Sequence, residues 1–140
     1  MFKLANEGVC ALVGLFFEQD KSKARKGLEI YLKVLGPDHP STATSYNNIG
    51  AVYKNQGDYE KALAEYRKGL EIQLKVLGHN HPSTAGTYYN IAWAYDAKDD
   101  LNNALPNFQT SFDVYSKIFG PDHSMTIKAL GQIDRVSGKM

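Results

Sequence analysis

The chain has 140 residues, of which 43% are hydrophobic and 22% charged, as in an ordinary globular protein and unlike a disordered or fibrous chain. Sixteen Lys and Arg residues nearly balance fifteen Asp and Glu residues. No strong net charge therefore points to nucleic acid or to an anionic membrane as a partner. A single cysteine, Cys10, excludes an internal disulfide and fits a reducing compartment.

The first predicted element is an apolar helix near the N-terminus, over residues 8–17. As a signal peptide this run is poor, because Glu7 stands beside Lys3 in the preceding segment and no small-residue cleavage site follows. It is also too short to span a bilayer. We expect a buried helix and, with the single cysteine, a cytoplasmic protein.

The strongest signal in the sequence is an internal repeat of 42 residues. Segment 27–30 recurs at 69–72, segment 32–36 at 74–78, and segment 39–43 at 81–85. A weaker third copy, 120–123, lies 84 residues after 36–39. Several motifs that stay in register over two periods predict a repeat architecture.

Each repeat is predicted to form two helices. The first carries large and small residues at helical spacing: Tyr46, Ile49, Gly50 and Tyr53, then Tyr88, Ile91, Ala92 and Tyr95. Gly50 and Ala92 are small where we expect the second helix to approach closely. The second helix carries the stripe Tyr59, Ala62, Leu63, Tyr66, Leu70, Leu74 and Leu77, repeated as Leu101, Ala104, Leu105, Phe108, Phe112 and Phe119.

Helix-terminating residues support these boundaries. Asp58 and Asp100 precede the second helices as N-cap candidates. Glycines at 36, 78 and 120 follow the apolar stripes, where helices often end in a left-handed residue. Pro40 and Pro82 fit the first turn of the next helix. We predict an all-α single array over 1–140, with a degenerate first helix pair at 1–35, full repeats at 41–78 and 83–120, and a closing helix at 125–136.

The repeat resembles the tetratricopeptide repeat. Its signature positions are matched in order by Tyr46, Ile49, Gly50, Tyr53, Gly57, Ala62 and Tyr66. The 42-residue period and the L-G-x-x-H-P loop are similar to repeats of kinesin light chains and nephrocystin-3-like proteins. The resemblance implies a right-handed superhelix, whose concave groove is lined by the first helices and holds a peptide or a partner helix.

We predict the groove residues from the positions on the first helices that face away from the packed side. The predicted groove residues are Asn6, Asn47, Asn48, Ala51, Lys54, Tyr89, Asn90, Trp93 and Gln132. Among them Asn6, Asn48, Asn90 and Gln132 recur at the repeat period, and a carboxamide can both donate to and accept from a peptide backbone. Alternatively, each amide ties neighbouring helices together. Trp93 is either a binding anchor or packing between first helices.

We expect no catalysis, cofactor or metal site. His39, His81 and His123 fall in separate loops one period apart, too far to share a metal, and are expected to form local contacts in the turns. Cys10 lies in an apolar run, where a thiol is inert. No phosphate-binding loop or metalloprotease motif occurs.

The favoured function is therefore a scaffold that binds a protein or peptide, with no nucleic acid or membrane partner. The alternative is a structural unit that self-assembles, as a homodimer, through its apolar N-terminal helix. Its basis is that the end faces of repeat proteins are apolar unless they are capped.

Overall fold

The structure is a computed structural model that describes residues 20–140. The predicted apolar N-terminal helix, Asn6 and Cys10 lie outside these residues. Helix α1 is described over residues 20–34. It is followed by α2 (Pro40–Asn55), α3 (Tyr59–Val76), α4 (Pro82–Ala97), α5 (Leu101–Phe119) and α6 (Ser124–Lys139). The described part of the chain contains helices and loops and no strand, as the sequence predicts.

Helices α2 and α3 pack as one pair, and α4 and α5 as the next. Turns of three residues join the helices of each pair, so the two helices run antiparallel. Helix α4 also packs on α3, and α6 packs on α5. The arrangement is a solenoid in which each helix contacts its neighbours along the chain.

The loop between successive pairs is built by four recurring residues. Gly78 has a φ of 84°, a conformation that favours glycine, and ends α3 as predicted. The Nδ1 atom of His81 accepts a hydrogen bond from the backbone N–H of Ser83 at 3.0 Å, and Pro82 is the first residue of α4. The hydroxyl of Thr84 then donates to the carbonyl oxygen of Gly78 at 2.9 Å. The expected local role of the histidines is confirmed, and that role is helix capping.

Removal of this cap should destabilise the fold. We expect His81→Ala to lower the free energy of unfolding by about 1 kcal/mol, because a backbone donor at the start of α4 loses its acceptor. The measurement is urea unfolding followed by circular dichroism. His81→Ser is the matched control, since a serine hydroxyl can cap the same N–H. Equal losses in both variants would contradict a capping role.

The core of the first full pair forms where α3 crosses α2. Ile49, Leu63 and Tyr66 are each 1% exposed, and the neighbouring Ala62 is fully buried. A Cβ added to Gly50 would lie 2.7 Å from the Cε1 atom of the Tyr66 ring. The prediction that a small residue admits the partner helix at this position is thus confirmed.

The predicted stripe of the second helices is wrong near their C-terminal ends. Leu74 and Phe119 were expected to be buried, but they are 39% and 40% exposed. In the last turns of α3 the buried side of the helix faces α4 instead of α2. Gln73 is buried there and accepts a hydrogen bond from Thr87 of α4 at 2.6 Å. Phe119 is the last residue of α5 and stacks on His123, with ring centroids 4.2 Å apart.

Arginine–tyrosine hydrogen bonds connect α1 to α2 and α3 to α4, across two boundaries between repeats. Arg25 of α1 donates to the Tyr53 hydroxyl of α2 at 2.6 Å, and Arg67 of α3 donates to the Tyr95 hydroxyl of α4. One period later the same positions hold Gln109 and Ser137, so the charged donor and the aromatic acceptor are both replaced. Helix α6 is therefore attached to the array without this connection.

Candidate functional site

The candidate site is a row of equivalent side chains on α2, α4 and α6, which we name the first-helix surface. It consists of Asn48, Ala51 and Lys54 on α2, Asn90, Trp93 and Asp96 on α4, and Gln132 and Arg135 on α6. The three helices lie side by side along this surface. A residue of α2 and a residue of α6 both contact the ring of Trp93 on α4. The repeat period thus places residues 42 positions apart on neighbouring helices.

Trp93 lies at the centre of the first-helix surface and is 37% exposed. The Lys54 ammonium group lies 5.4 Å from the centre of its ring, and the Arg135 guanidinium carbon lies 5.8 Å from it. Each cation–π contact at an exposed site contributes about 0.5–1 kcal/mol. The indole is thereby held between two neighbouring helices while part of its surface remains open to solvent.

Arg135 is fixed in place by two polar contacts. Its Nη2 donates to Oδ2 of Asp96 at 2.5 Å, and its Nε donates to Oε1 of Gln132 at 2.9 Å. The Asp96 side chain is only 7% exposed, so its carboxylate depends on this charge-assisted bond. The interaction joins α6 to α4 next to Trp93 and neutralises the acidic group on this part of the surface.

The two amides at the matching positions on α2 and α4 are open. Asn48 is exposed and Asn90 is partly exposed. Within residues 20–140 neither side chain has a hydrogen-bond partner. Gln132, the third amide of the predicted row, is occupied in part by Arg135. Two carboxamides therefore remain available to an external donor or acceptor.

Asn47 and Tyr89, which were also predicted to face the groove, have contacts inside the array. The Asn47 Nδ2 donates to the Thr87 hydroxyl at 2.8 Å and so links α2 to α4. The Tyr89 ring meets Phe108 edge-on, with centroids 5.3 Å apart, and is partly buried against two core clusters. The Asn47 contact agrees with the alternative interpretation, in which an amide holds neighbouring helices together.

Sequence reasoning missed the ion pair between Asp96 and Arg135. Asp96 is the repeat equivalent of Lys54, and Arg135 is the repeat equivalent of Trp93, each 42 positions later in the chain. Opposite charges at neighbouring positions of adjacent first helices are the signal that could have revealed it. The repeat period alone does not predict this ion pair, because the pairing also depends on how each helix is oriented about its own axis.

Two other kinds of site were sought among the described residues, namely metal sites and membrane-spanning helices. In the range 20–140 no group of three His, Cys, Asp or Glu side chains lies close enough to hold a metal ion. None of the helices described there has the length and hydropathy needed to cross a bilayer. The first-helix surface presents amides, an indole and the cations of Lys54 and Arg135.

The helix pairs and the 42-residue period define an all-helical repeat protein. The family model for the tetratricopeptide repeat matches residues 24–75 and 41–108, and the chain belongs to this family. Repeats of this family generally mediate interactions between proteins. No curated protein matches the chain with significance.

Solved structures with the same fold include tetratricopeptide-like repeats of a putative kinesin light chain from Podosopora anserina. That structure has a TM-score of 0.77 and 21% identity, and the match covers 86% of this chain and 57% of the other. BtubC (BKLC) from P. vanneervenii has a TM-score of 0.75 and 19% identity, with 87% of this chain and 50% of the other covered. The chain therefore spans only half to three-fifths of the length of these structures, and the likeness concerns the fold.

Proposed function

We propose that the first-helix surface binds an extended peptide or a helix of a partner protein. The observation that carries this proposal is the pair of open carboxamides, Asn48 and Asn90, on either side of the repeat boundary beside Trp93. A carboxamide can donate to a backbone carbonyl and accept from a backbone N–H, so it binds a peptide without selecting its sequence.

Trp93 supplies the apolar contact in this proposal. Tryptophan is frequent among the residues that contribute most to protein–protein binding, because it buries a large rigid surface. Its position between Lys54 and Arg135 fixes the orientation of the ring before a partner arrives. Such preorganisation lowers the entropy cost of binding.

The test compares stability and binding in the same variants. Peptides that bind the wild-type chain are first selected from a displayed random library. Asn48→Ala and Asn90→Ala should each weaken binding of the selected peptides by about 1 kcal/mol, because a hydrogen bond is lost. Unfolding free energies should change by no more than about 0.5 kcal/mol, as for exposed sites. Isothermal titration calorimetry and urea unfolding give the two quantities.

Asn102→Ala is the matched control, because Asn102 is an exposed asparagine on α5, outside the first-helix surface. This variant should leave both affinity and stability unchanged. Loss of stability without loss of affinity in Asn48→Ala and Asn90→Ala would reject the proposal. It would indicate instead that the amides stabilise the superhelix.

A further inference from the structure

Three of the four histidines of the chain occupy the same place in successive repeats. Each is the N-cap of a first helix: His39 caps α2, His81 caps α4 and His123 caps α6. In each case the Nδ1 atom accepts the backbone N–H two residues later, at distances of 3.0, 3.0 and 3.1 Å. An imidazole accepts at Nδ1 only while that nitrogen carries no proton. The starts of all three helices therefore depend on neutral histidines.

Protonation of a capping histidine has two unfavourable effects on the folded chain. Both nitrogens of an imidazolium are donors, so Nδ1 would face the backbone N–H as a second donor and the hydrogen bond would be lost. The new positive charge would also lie at a helix N-terminus, where the helix dipole disfavours a cation. In the unfolded chain the imidazolium and the backbone N–H are both hydrated, so neither effect arises there.

Acidic groups beside these rings do not compensate for the cost of protonation. Asp38, which precedes His39, is already paired with Lys75 of α3, with Nζ and Oδ2 2.6 Å apart. Asp122 precedes His123 and is exposed to solvent. Within residues 20–140 no carboxylate forms an ion pair with any of the three capping rings.

The other groups around the capping rings are basic or uncharged. His79 lies two residues before His81 and makes an edge-on ring contact with Tyr88 of α4. The ring of Phe119 stacks on His123, with centroids 4.2 Å apart. The last turn of each preceding helix carries a lysine, namely Lys33 in α1, Lys75 in α3 and Lys117 in α5. Nearby cations disfavour a further positive charge, so these surroundings also favour neutral rings.

We propose that the three N-cap histidines form a pH-sensitive device, which weakens the first helices when the solution becomes acidic. A histidine of the unfolded chain takes up a proton near pH 6.5. In the folded chain the hydrogen bond to Nδ1 opposes this protonation, so the unfolded state binds more protons. The contribution of the caps to stability is therefore present above about pH 6.5 and is lost as the pH falls below it.

The device acts on the helices that carry the first-helix surface, because α2, α4 and α6 are the three capped helices. Acidification should therefore loosen the starts of all three helices together. The proposal does not depend on what binds at the first-helix surface, since it uses no residue of that surface and its test needs no ligand.

The test is urea unfolding of the full chain, followed by circular dichroism, at pH 7.5 and at pH 5.5. Carboxyl groups, which ordinarily titrate near pH 4, stay ionised in this interval. The equilibrium constant for unfolding should rise by at least about tenfold at the lower pH, because each lost N-cap hydrogen bond corresponds to roughly fivefold. The variant with His39→Asn, His81→Asn and His123→Asn should lose most of this rise. Asparagine caps a helix as well and does not titrate.

The fourth histidine provides the matched control. His79 is exposed and is not the N-cap of a helix, so His79→Asn should keep the full dependence on pH. The single change His81→Asn should remove about a third of the logarithmic rise, one of three equivalent caps, and it keeps the test valid if the triple variant does not fold. An unfolding constant that is the same at both pH values in the wild type would overturn the proposal. So would a full rise in His81→Asn, or a loss of the rise in His79→Asn.

Discussion

Tyr66→Ala should lower the free energy of unfolding by about 3–5 kcal/mol, the cost of emptying a buried aromatic site. Tyr66 is 1% exposed and packs where α3 crosses α2, with its ring against the backbone of Gly50. The same buried cluster includes Ile49 and Ile91, so the cavity would open between two successive repeats. Urea unfolding with circular dichroism measures the loss.

Tyr66→Phe is the control for this experiment, since it keeps the ring and removes the hydroxyl. Burial raises the pKa of Tyr66 from 10.0 to about 12. As the pH rises, the unfolded chain therefore releases the Tyr66 proton before the folded chain does. The contribution of this group to the free energy of unfolding is present below pH 10 and is lost as the pH rises towards 12. Tyr66→Phe should remove this part of the alkaline loss. A small effect of Tyr66→Ala at neutral pH would show that the cluster closes around the cavity.

Gly50→Leu should destabilise the protein by about 1–3 kcal/mol through overpacking. A Cβ at this position would lie 2.7 Å from the Tyr66 ring and 3.2 Å from the Ala62 carbonyl oxygen. The backbone oxygen cannot move aside without shifting α3. This steric cost exceeds the roughly 0.5–1 kcal/mol gained when a glycine inside a helix is replaced. Thermal unfolding by calorimetry gives the net change.

Gly131→Ala is the matched control, because a Cβ added to Gly131 of α6 meets no atom within 4 Å. The same gain in helix propensity should then appear alone and stabilise the chain by roughly 0.5–1 kcal/mol. Destabilisation by Gly50→Leu and stabilisation by Gly131→Ala together separate packing from propensity. An unchanged or raised stability of Gly50→Leu would show that α2 and α3 separate at little cost.

The fold was predictable because each repeat places the same kinds of residue at the same packing contacts. The pairs Gly50 with Tyr66 and Ala92 with Phe108 appear in the sequence as a small residue and an aromatic one at fixed separation. The burial of Gln73 was not predictable in this way. Its partner Thr87 belongs to the next repeat, and both residues are polar, so a search for apolar stripes passes over them.

The candidate site could be predicted only in part. Repeat spacing locates Asn48, Asn90 and Trp93 on equivalent sides of neighbouring helices, and the structure leaves all three at least partly exposed. The contrast between Asn47 and Asn48 was not accessible, because adjacent residues differ by about 100° around a helix and small rotations decide which of them meets the next helix. Asn47 bonds to Thr87, whereas Asn48 does not.

Packing in the described solenoid joins helices that are at most two elements apart in the chain, and this has a consequence for folding. Native interactions in the described solenoid join residues separated by about one repeat or less, as in the Asn47–Thr87 and Asp96–Arg135 contacts. The relative contact order is therefore low, and little loop-closure entropy must be overcome before the first pair becomes stable. Folding can begin at either complete pair and spread to the adjoining helix.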